Sequence, residues 1–300
     1  MKPILIIPPA PARWPAIQEL LRHKGEPWLT DLERRFVTGV PGAQDAYAVL
    51  PAGGPLLASA CINKCGDVGL LGHCFTRPEH RRRGYARQLV ETLLSWFDMT
   101  GGKWLLLGTT TELDEGLYRK FGFAPLRRAA WAPYDRLTMC RTGAGVTGDP
   151  FVTAADGVTV RELTRAAWPA MVTLLQYRPG PDPRVPLEES AVIAEAFTLD
   201  LIAHQERGAC SLQGAFRGPR LVGLATVATD REGARTYAML IPHADAPPEL
   251  RAAVTELARG RGYTQVDFPM EGLGEWHHGD PLMAAAPPPV ASAPEPPAVE

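Results

Sequence analysis

The segment "GLLGHCFTRPEHRRRGYARQLV" (69–90) constrains the fold of this chain more than any other stretch. Its first eight residues form an apolar run that is typical of a buried strand. Tyr85, Leu89, Leu93 and Phe97 then follow one another at intervals of four residues, which predicts an amphipathic helix. The sequence therefore predicts a strand, a basic loop and a helix in direct succession.

Three consecutive arginines, Arg81, Arg82 and Arg83, precede Gly84 at the predicted start of this helix. A helix start presents unpaired backbone N–H groups and the positive end of the helix dipole, so it disfavours cations and stabilises anions. A glycine lets a ligand approach the backbone, and a pyrophosphate would accept hydrogen bonds from the guanidinium groups. The loop is predicted to bind a phosphate-containing ligand; the alternative is a solvated basic cap.

Predicted strands and helices alternate along the rest of the chain, which is the order of an α/β fold around a mixed central sheet. The Gly-rich stretch "RTGAGVTGDP" (141–150) reads as a linker between two domains, each with its own mixed sheet flanked by helices. The Pro/Ala-rich C-terminal stretch cannot bury apolar surface and is predicted to be disordered. The expected division is a first domain, a linker, a second domain and a tail, at 1–142, 143–152, 153–275 and 284–300.

Short similarities link the two predicted domains. The sequence "RWPAIQELL" (13–21) recurs as "AWPAMVTLL" (167–175), and "GP" precedes an apolar run both at 54–55 and at 218–219. Several similarities in the same order predict two copies of one fold.

An ungapped alignment of the copies pairs the basic loop with a stretch that has lost its arginines. Asp245, Ala246, Pro247 and Pro248 stand where the first domain has its three arginines and Gly84. Proline has no backbone N–H to donate, and an aspartate repels phosphate. The second domain is therefore predicted to be a degenerate copy without the anion site.

Composition argues against several classes of protein. The net charge of −2 and the 45% hydrophobic content describe a globular chain without the basic excess of a nucleic-acid binder. The five scattered cysteines fit a reducing cytoplasm better than a disulfide frame, and Cys61 and Cys65 lack the second pair that a zinc site requires. The apolar run near the N-terminus is too short for a membrane span or a signal peptide. We therefore expect a cytoplasmic protein without a metal, a membrane segment or a nucleic-acid partner.

The order of these motifs resembles the GNAT superfamily of N-acetyltransferases. The stretch Arg81–Ala86 matches that family's acyl-CoA signature [Q/R]-x-x-G-x-[G/A], and "KWLLLG" and "LYRKFGF" (117–123) follow in the family's order. The resemblance is specific across 69–124 and looser across 1–68. It implies that loop amides bind the pyrophosphate of acetyl-CoA and that the preceding strand pairs with the pantetheine arm. The residues implied in cofactor binding are Phe75, Thr76, Arg81, Arg82, Arg83, Gly84, Tyr85 and Ala86.

The resemblance also implies a catalytic role for Tyr118, which stands where many relatives carry the general acid that protonates the departing CoA thiolate. The alternative for Tyr118 is a packing residue between helix and sheet. Many relatives have asparagine where this chain has Thr111, which leaves the contact of this helix with the pantetheine open.

The general base has several candidates. His73 lies on the strand before the basic loop and has a suitable ordinary pKa, but relatives carry their base earlier on this strand. A one-residue offset points a side chain to the other face of a sheet unless a bulge restores it. The alternative for His73 is a buried structural residue, and Asp67 and Glu26 are further candidates for the base.

The resemblance thus implies an acetyl-CoA-dependent N-acetyltransferase that moves the acetyl group directly to a primary amine within a ternary complex. The acceptor would be a small molecule or a peptide. Two alternatives remain open: a non-catalytic acyl-CoA-binding or regulatory protein, and a transferase that uses a longer acyl-CoA.

Overall fold

The computed structural model of the chain describes residues 2–51, 53–109, 112–131, 134–146, 157–176, 191–229, 236–241 and 247–261. Thr111, Asp245, Ala246 and the predicted tail lie outside these ranges, as does most of the predicted linker. The described strands form one seven-stranded and one four-stranded sheet, flanked by helices. The α/β class predicted from the sequence is confirmed. No helix within the described ranges combines the length and the apolar character needed to cross a membrane.

The first sheet has the strand order β1-β2-β3-β4-β5-β7-β6, and only its central pair, β4 and β5, runs parallel. Its strands are β1 (Ile4–Ile6), β2 (Gln44–Pro51), β3 (Leu56–Cys65), β4 (Val68–Thr76), β5 (Trp104–Thr109), β6 (Ala124–Trp131) and β7 (Tyr134–Thr142). Its helices are α1 (Trp14–Leu21), α2 (Trp28–Val37), α3 (Tyr85–Met99) and α4 (Glu112–Arg119).

Side chains alternate between the two faces of this sheet, as the period of a strand requires. On β2, Ala48 and Leu50 belong to the apolar cluster of α3 and α4, whereas Tyr47 and Val49 belong to the cluster of α1 and α2. The α3 side contributes the helix face that the sequence predicted, with Leu89, Val90, Leu93, Leu94 and Phe97 all buried. Both faces of the sheet at β2 are therefore covered by helices of the first domain.

The second sheet has the strand order β11-β10-β9-β8, and all of its described pairs are antiparallel, so the prediction of a mixed sheet is wrong for this part of the chain. Its strands are β8 (Thr159–Glu162), β9 (Cys210–Arg217), β10 (Arg220–Thr229) and β11 (Thr236–Ile241), and its helices are α5 (Trp168–Gln176), α6 (Ala191–Glu206) and α7 (Pro248–Gly260). The element order from β8 to α7 is the same as the order from β1 to α3, and neighbouring strands pair in the same sequence.

One detail of the predicted alignment is corrected by the helix starts. The residue before α3 is Gly84, and the residue before α7 is Pro247 rather than Pro248. The two helices are thus offset by one residue from the ungapped alignment. Pro248 occupies the first helical position, where its missing N–H would have no intrahelical partner in any case.

Helices α5 and α6 lie on the first sheet where α1 and α2 do not reach. Val68 and Leu70 of β4 and Trp104 and Leu106 of β5 share one buried apolar cluster with α5, including Met171. The central parallel strands are thus sandwiched between α3 on one face and the helices of the second sheet on the other.

Candidate functional site

The two central strands separate partway along their length. β4 pairs with β5 only from Val68 to Leu70, opposite Trp104 to Leu106, although β4 continues to Thr76 and β5 to Thr109. Beyond this point, no described strand fills the gap between the facing edges. Backbone N–H and C=O groups along such edges need partners, and an extended ligand supplies them in the way an added strand does.

A β-bulge lies on β4 beside this gap. Phe75 pairs with Ser59 and Gly72 pairs with Cys61, so His73 and its neighbour face a single residue of β3. The backbone of His73 has a φ of +49°, in the left-handed region that non-glycine residues rarely adopt. Bulges bend a strand and re-aim side chains, and they are over-represented next to active sites. A bulge is what a residue one position out of register on β4, such as His73, needs for its side chain to face the gap.

His73 is a poor base at this position, because burial lowers the pKa of its imidazole. Burial, together with the nearby Lys24 ammonium, lowers the pKa of His73 to about 3. A conjugate acid of that strength does not hold a proton taken from an alkylammonium group, since the best general bases have pKa values near the working pH. The imidazole is therefore neutral at pH 7 and unsuited to the base role suggested by its position in the sequence.

The basic loop lies between the end of β4 and the start of α3. Arg81, Arg82 and Arg83 are exposed, and the Arg81 Nε donates to the Thr76 carbonyl at 3.3 Å. Arg82 and Gly84 have left-handed backbones, with φ of +60° and +76°, and alternation of this kind forms anion-binding nests. The first N–H groups of α3, from Gly84 through Tyr85 and Ala86, have no intrahelical partner. The loop therefore presents exposed guanidinium groups beside a left-handed backbone, and its role as an anion site stays a prediction.

Phe75 and Thr76 contribute to this region through their backbone. The Phe75 ring packs on the His23 imidazole, with centroids 4.2 Å apart, so the side chain is engaged on the α1 side of the sheet. A ligand in the gap would therefore contact the backbone of Phe75 and Thr76 along the edge of β4, and not the Phe75 ring.

Tyr118 lies in α4, directly after β5. Its side chain is 8% exposed, and its ring meets that of Phe123 edge to face, with centroids 5.9 Å apart. It belongs to the apolar cluster that also contains Leu107 of β5 and Leu71 of β4. This position places the ring beside the strands that flank the gap and is compatible both with packing and with a proton donor.

A cavity of about 240 Å³ opens where the strands separate. β4 contributes Leu70, Leu71, Gly72 and His73 to its wall, and β5 contributes Gly108. The remaining lining residues come from the two flanking sets of helices and from β3: Lys24, Trp28, Asn63, Trp168 and Glu195. The cavity therefore lies between the first sheet and the helices of the second.

Glu195 of α6 is a titratable group in this cavity that sequence reasoning missed. Burial raises the pKa of its carboxyl to about 7, against the opposing effects of the Lys24 ammonium and a hydrogen bond from the Trp28 side chain. A signal was present, because Glu195 is the only charged residue in the otherwise apolar stretch "AVIAEAFTL" (191–199). A lone carboxylate in an apolar helix usually marks either a buried pair or a site.

The other candidates for the base lie elsewhere. Asp67 precedes β4 at the end remote from the bulge, roughly 20 Å along the strand from His73. Its carboxylate lies 3.4 Å from the Lys103 Nζ. The Glu26 carboxylate accepts a hydrogen bond from the Thr30 N–H at 3.3 Å at the start of α2. Neither is among the described residues that line the cavity.

A comparison with known protein families finds a match for the first part of the chain. Residues 14–123 match the model of the acetyltransferase (GNAT) family. A search of curated proteins found no match.

Several solved structures resemble about half of the chain. The ribosomal-protein-S18-alanine N-acetyltransferase from Escherichia coli is 18% identical, with 49% of this chain and 99% of that chain covered and a TM-score of 0.38. Escherichia coli ElaA is 18% identical, with coverages of 47% and 99% and a TM-score of 0.39. Arabidopsis thaliana NAA60 in complex with a bisubstrate analogue is 13% identical, with coverages of 48% and 100% and a TM-score of 0.38. Likenesses this distant carry no inference about the activity of this chain.

The family match covers the segment that contains the strand gap, the basic loop and Tyr118. Residues 14–123 are therefore similar to the acetyltransferase (GNAT) family, and the chain is an enzyme of the acyltransferase class.

Proposed function

We propose that this chain is an acetyl-CoA-dependent N-acetyltransferase that transfers the acetyl group directly to a primary amine within a ternary complex. The observation that carries the proposal is the gap between β4 and β5, which connects the basic loop at one end to the cavity at the other. An extended donor that is anionic at one end and reactive at the other fits this arrangement.

The donor would lie along β4. The amides of the loop and the three arginines would hold the pyrophosphate, and a Cβ added at Gly84 would meet no atom within 4 Å, so this side of the backbone is open. The pantetheine arm would pair with the edge of β4 from Thr76 to Gly72, a stretch of about 13 Å at the rise of a strand. Its thioester would then reach the cavity beside His73.

The chain would promote transfer by positioning and by moving protons. The lone pair of the neutral amine attacks the thioester carbonyl, the C–N bond forms, and the C–S bond breaks as the thiolate departs. Backbone N–H groups on the unpaired edge of β4 would donate to the carbonyl oxygen as it gains charge. The Tyr118 hydroxyl would donate a proton to the sulfur, while the nitrogen releases its second proton as the amide forms.

The second sheet would be a fold copy that has lost the cofactor site. The shared element order from β8 to α7 supports this reading, as does the presence of tryptophan at the start of both α1 and α5. Pro247 and Pro248 at the start of α7 have no N–H to offer a phosphate. We accordingly propose one acetyl-CoA site per chain, with the second copy closing the cavity from the other side. The scattered cysteines support a cytoplasmic location.

The direct test is a turnover screen with acetyl-CoA over amino acids, polyamines, aminoglycosides and peptides, followed by release of the CoA thiol. We expect at least one primary amine to raise thiol release clearly above the rate without acceptor, and calorimetry to give one acetyl-CoA site per chain. Tight binding without turnover on any amine would instead identify a non-catalytic acyl-CoA-binding protein. Faster turnover with longer acyl donors would identify a different acyl specificity.

A further inference from the structure

We propose that Glu195, supplied by α6 of the second copy, is the general base that deprotonates the acceptor amine. The inference rests on the proposed acetyl transfer and assigns to the second copy a chemical role in it. The acceptor class that this site would take is a primary alkylammonium group.

Geometry brings Glu195 to the place where the acceptor must enter. The same cavity wall contains Gly72 and His73 of the bulged strand and Gly108 of β5, which flank the strand gap. Because the thioester would reach the cavity through that gap, an amine in the cavity would lie between the thioester and Glu195. The cavity volume of about 240 Å³ suits the reactive end of an amine rather than a large molecule.

Neighbouring residues fix the position of Glu195. The Trp168 indole N–H donates to the Glu195 backbone carbonyl at 3.3 Å, which ties the helix to α5. The Trp28 side chain, whose only donor is its indole N–H, hydrogen-bonds to the carboxylate from the first domain. Both indoles line the cavity, and the face of Trp28 would favour an ammonium group, whereas the Arg35 guanidinium already lies over the Trp168 ring, 5.3 Å from its centroid. The carboxylate is therefore held between the domains instead of moving freely in solvent.

The groups that face Glu195 leave it poised for proton transfer. Lys24, from the turn after α1, stabilises the carboxylate, whereas burial outweighs this effect and raises the pKa to about 7. His73 of β4 is neutral at pH 7, and burial raises the pKa of the Cys61 thiol of β3, so neither adds a charge at that pH. An acid with a pKa near the working pH is both deprotonated enough to accept a proton and basic enough to keep it.

The proton balance is closed by this assignment. The Glu195 carboxylate takes one proton from the alkylammonium, which frees the nitrogen lone pair for attack on the thioester. After the C–N bond forms and the C–S bond breaks, the nitrogen loses its second proton, which replaces the one that Tyr118 gives to the sulfur. Glu195 returns its proton to solvent when the products leave. The sum converts an ammonium and a thioester into an amide, a thiol and one proton.

The test compares two nucleophiles in wild type, Glu195→Gln and Glu195→Asp. With an alkylamine acceptor, kcat/KM of the wild type should rise with pH through a limb near pH 7, and Glu195→Gln should lose about 10²-fold or more at pH 7. Glu195→Asp should recover part of the rate. Hydroxylamine is already uncharged at neutral pH, so the Glu195→Gln defect should be much smaller with this nucleophile.

Asp200→Asn is the matched control, because Asp200 lies on the same helix and is not among the residues that line the cavity. The rate and pH profile of Asp200→Asn should match those of the wild type. All variants should also keep the acetyl-CoA affinity and the unfolding midpoint of the wild type, which shows that they remain folded. An unchanged Glu195→Gln profile, or an equal and pH-independent loss with both nucleophiles, would overturn the assignment. If wild type transferred acetyl to neither nucleophile, the proposed function would fail first, and this assignment with it.

Discussion

Gly84 and Gly101 stand at the two ends of α3 with nearly the same backbone conformation, φ of +76° and +77°. A Cβ added at either glycine would meet no atom within 4 Å. The two positions therefore have equally open surroundings and differ only in which end of the helix they occupy. Gly84→Ala and Gly101→Ala should therefore cost the same free energy of unfolding, about 1 kcal/mol for a left-handed alanine. Only Gly84→Ala should weaken acetyl-CoA binding, by about tenfold or more, since it places a methyl group at the anion site. Equal affinities by calorimetry would argue against the loop as the pyrophosphate site.

The Tyr118 hydroxyl is needed only when charge develops on the departing sulfur. Tyr118→Phe keeps the ring against Phe123, so the fold and the acetyl-CoA affinity should be preserved. The loss should appear in kcat and fall in or somewhat below the range of about 10²–10⁴-fold that general acids contribute. Tyr47→Phe, a buried tyrosine on the α1 and α2 side of the sheet, is the matched control and should retain kcat. Full kcat in Tyr118→Phe would mean that the ring serves packing alone.

Residue types alone indicated the basic loop as a candidate anion site, which stays a prediction, and did not indicate Glu195 as a candidate base. The arginines and Gly84 were recognisable because their order at a helix start has a physical meaning independent of the rest of the fold. The sequence marks Glu195 only as a lone charged residue in an apolar stretch, and its place in the same cavity wall as His73 arises from packing between segments more than 100 residues apart. Burial shifts the pKa values of both His73 and Glu195, and the burial of a side chain cannot be read from a single sequence.

At the scale of elements, a buried ion cluster joins α2 to the start of α5 and the end of α6. Asp31 of α2 accepts hydrogen bonds from the Arg35 Nε and from Arg165, the residue that precedes α5 by three positions, both at 2.6 Å. Arg165 in turn bonds Glu206 at the end of α6. Asp31→Asn would leave two buried guanidinium groups short of negative charge. We expect a loss of about 3 kcal/mol in the free energy of unfolding at pH 7, measured by urea denaturation.

The pH dependence of that loss has a definite sign. The two arginines hold the pKa of Asp31 below its ordinary value, despite the opposing effect of burial. A depressed folded-state pKa contributes stability above the unfolded value of about 4, and this contribution disappears as the pH falls through the folded value. The difference between wild type and Asp31→Asn should therefore shrink below about pH 4. Asp98→Asn breaks an exposed pair with Arg141 and should cost only about 0–1 kcal/mol; a similar cost for both variants would contradict the role of the buried cluster.

Elements were predicted well where a local pattern determines them and less well where neighbours do. The strand, loop and helix from β4 to α3 appear as the sequence indicated. The bulge at His73 was foreseen only as a possibility, because its formation depends on the register with β3. The ungapped alignment pairs Gly84 with Pro248, whereas the residue that precedes α7 is Pro247.

At the scale of the whole molecule, the two sheets share a buried core. One apolar cluster contains Leu70 and Trp104 of the first sheet together with Trp168 of α5, Ile202 of α6 and Leu224 of β10. From the sequence, the second domain is predicted to be a degenerate copy that follows a linker, and its role is left open. The structure places α5 and α6 against the central strands and beside the cavity, so these helices cover an apolar face of the first sheet.

A shared core predicts that the chain unfolds as one unit. Because neither sheet can lose its partner without exposing the common cluster, thermal unfolding should show a single transition for signals from both parts of the chain. Acetyl-CoA at 100 times its Kd should add about 2.7 kcal/mol to the folded state and move this whole transition upward by several degrees, although the ligand would contact the first sheet alone. Gly84→Ala, with its weakened site, should show a smaller shift at the same concentration, whereas Gly101→Ala should match the wild-type shift. Differential scanning calorimetry that resolved two transitions, only one of them moved by the ligand, would show that the two parts fold independently.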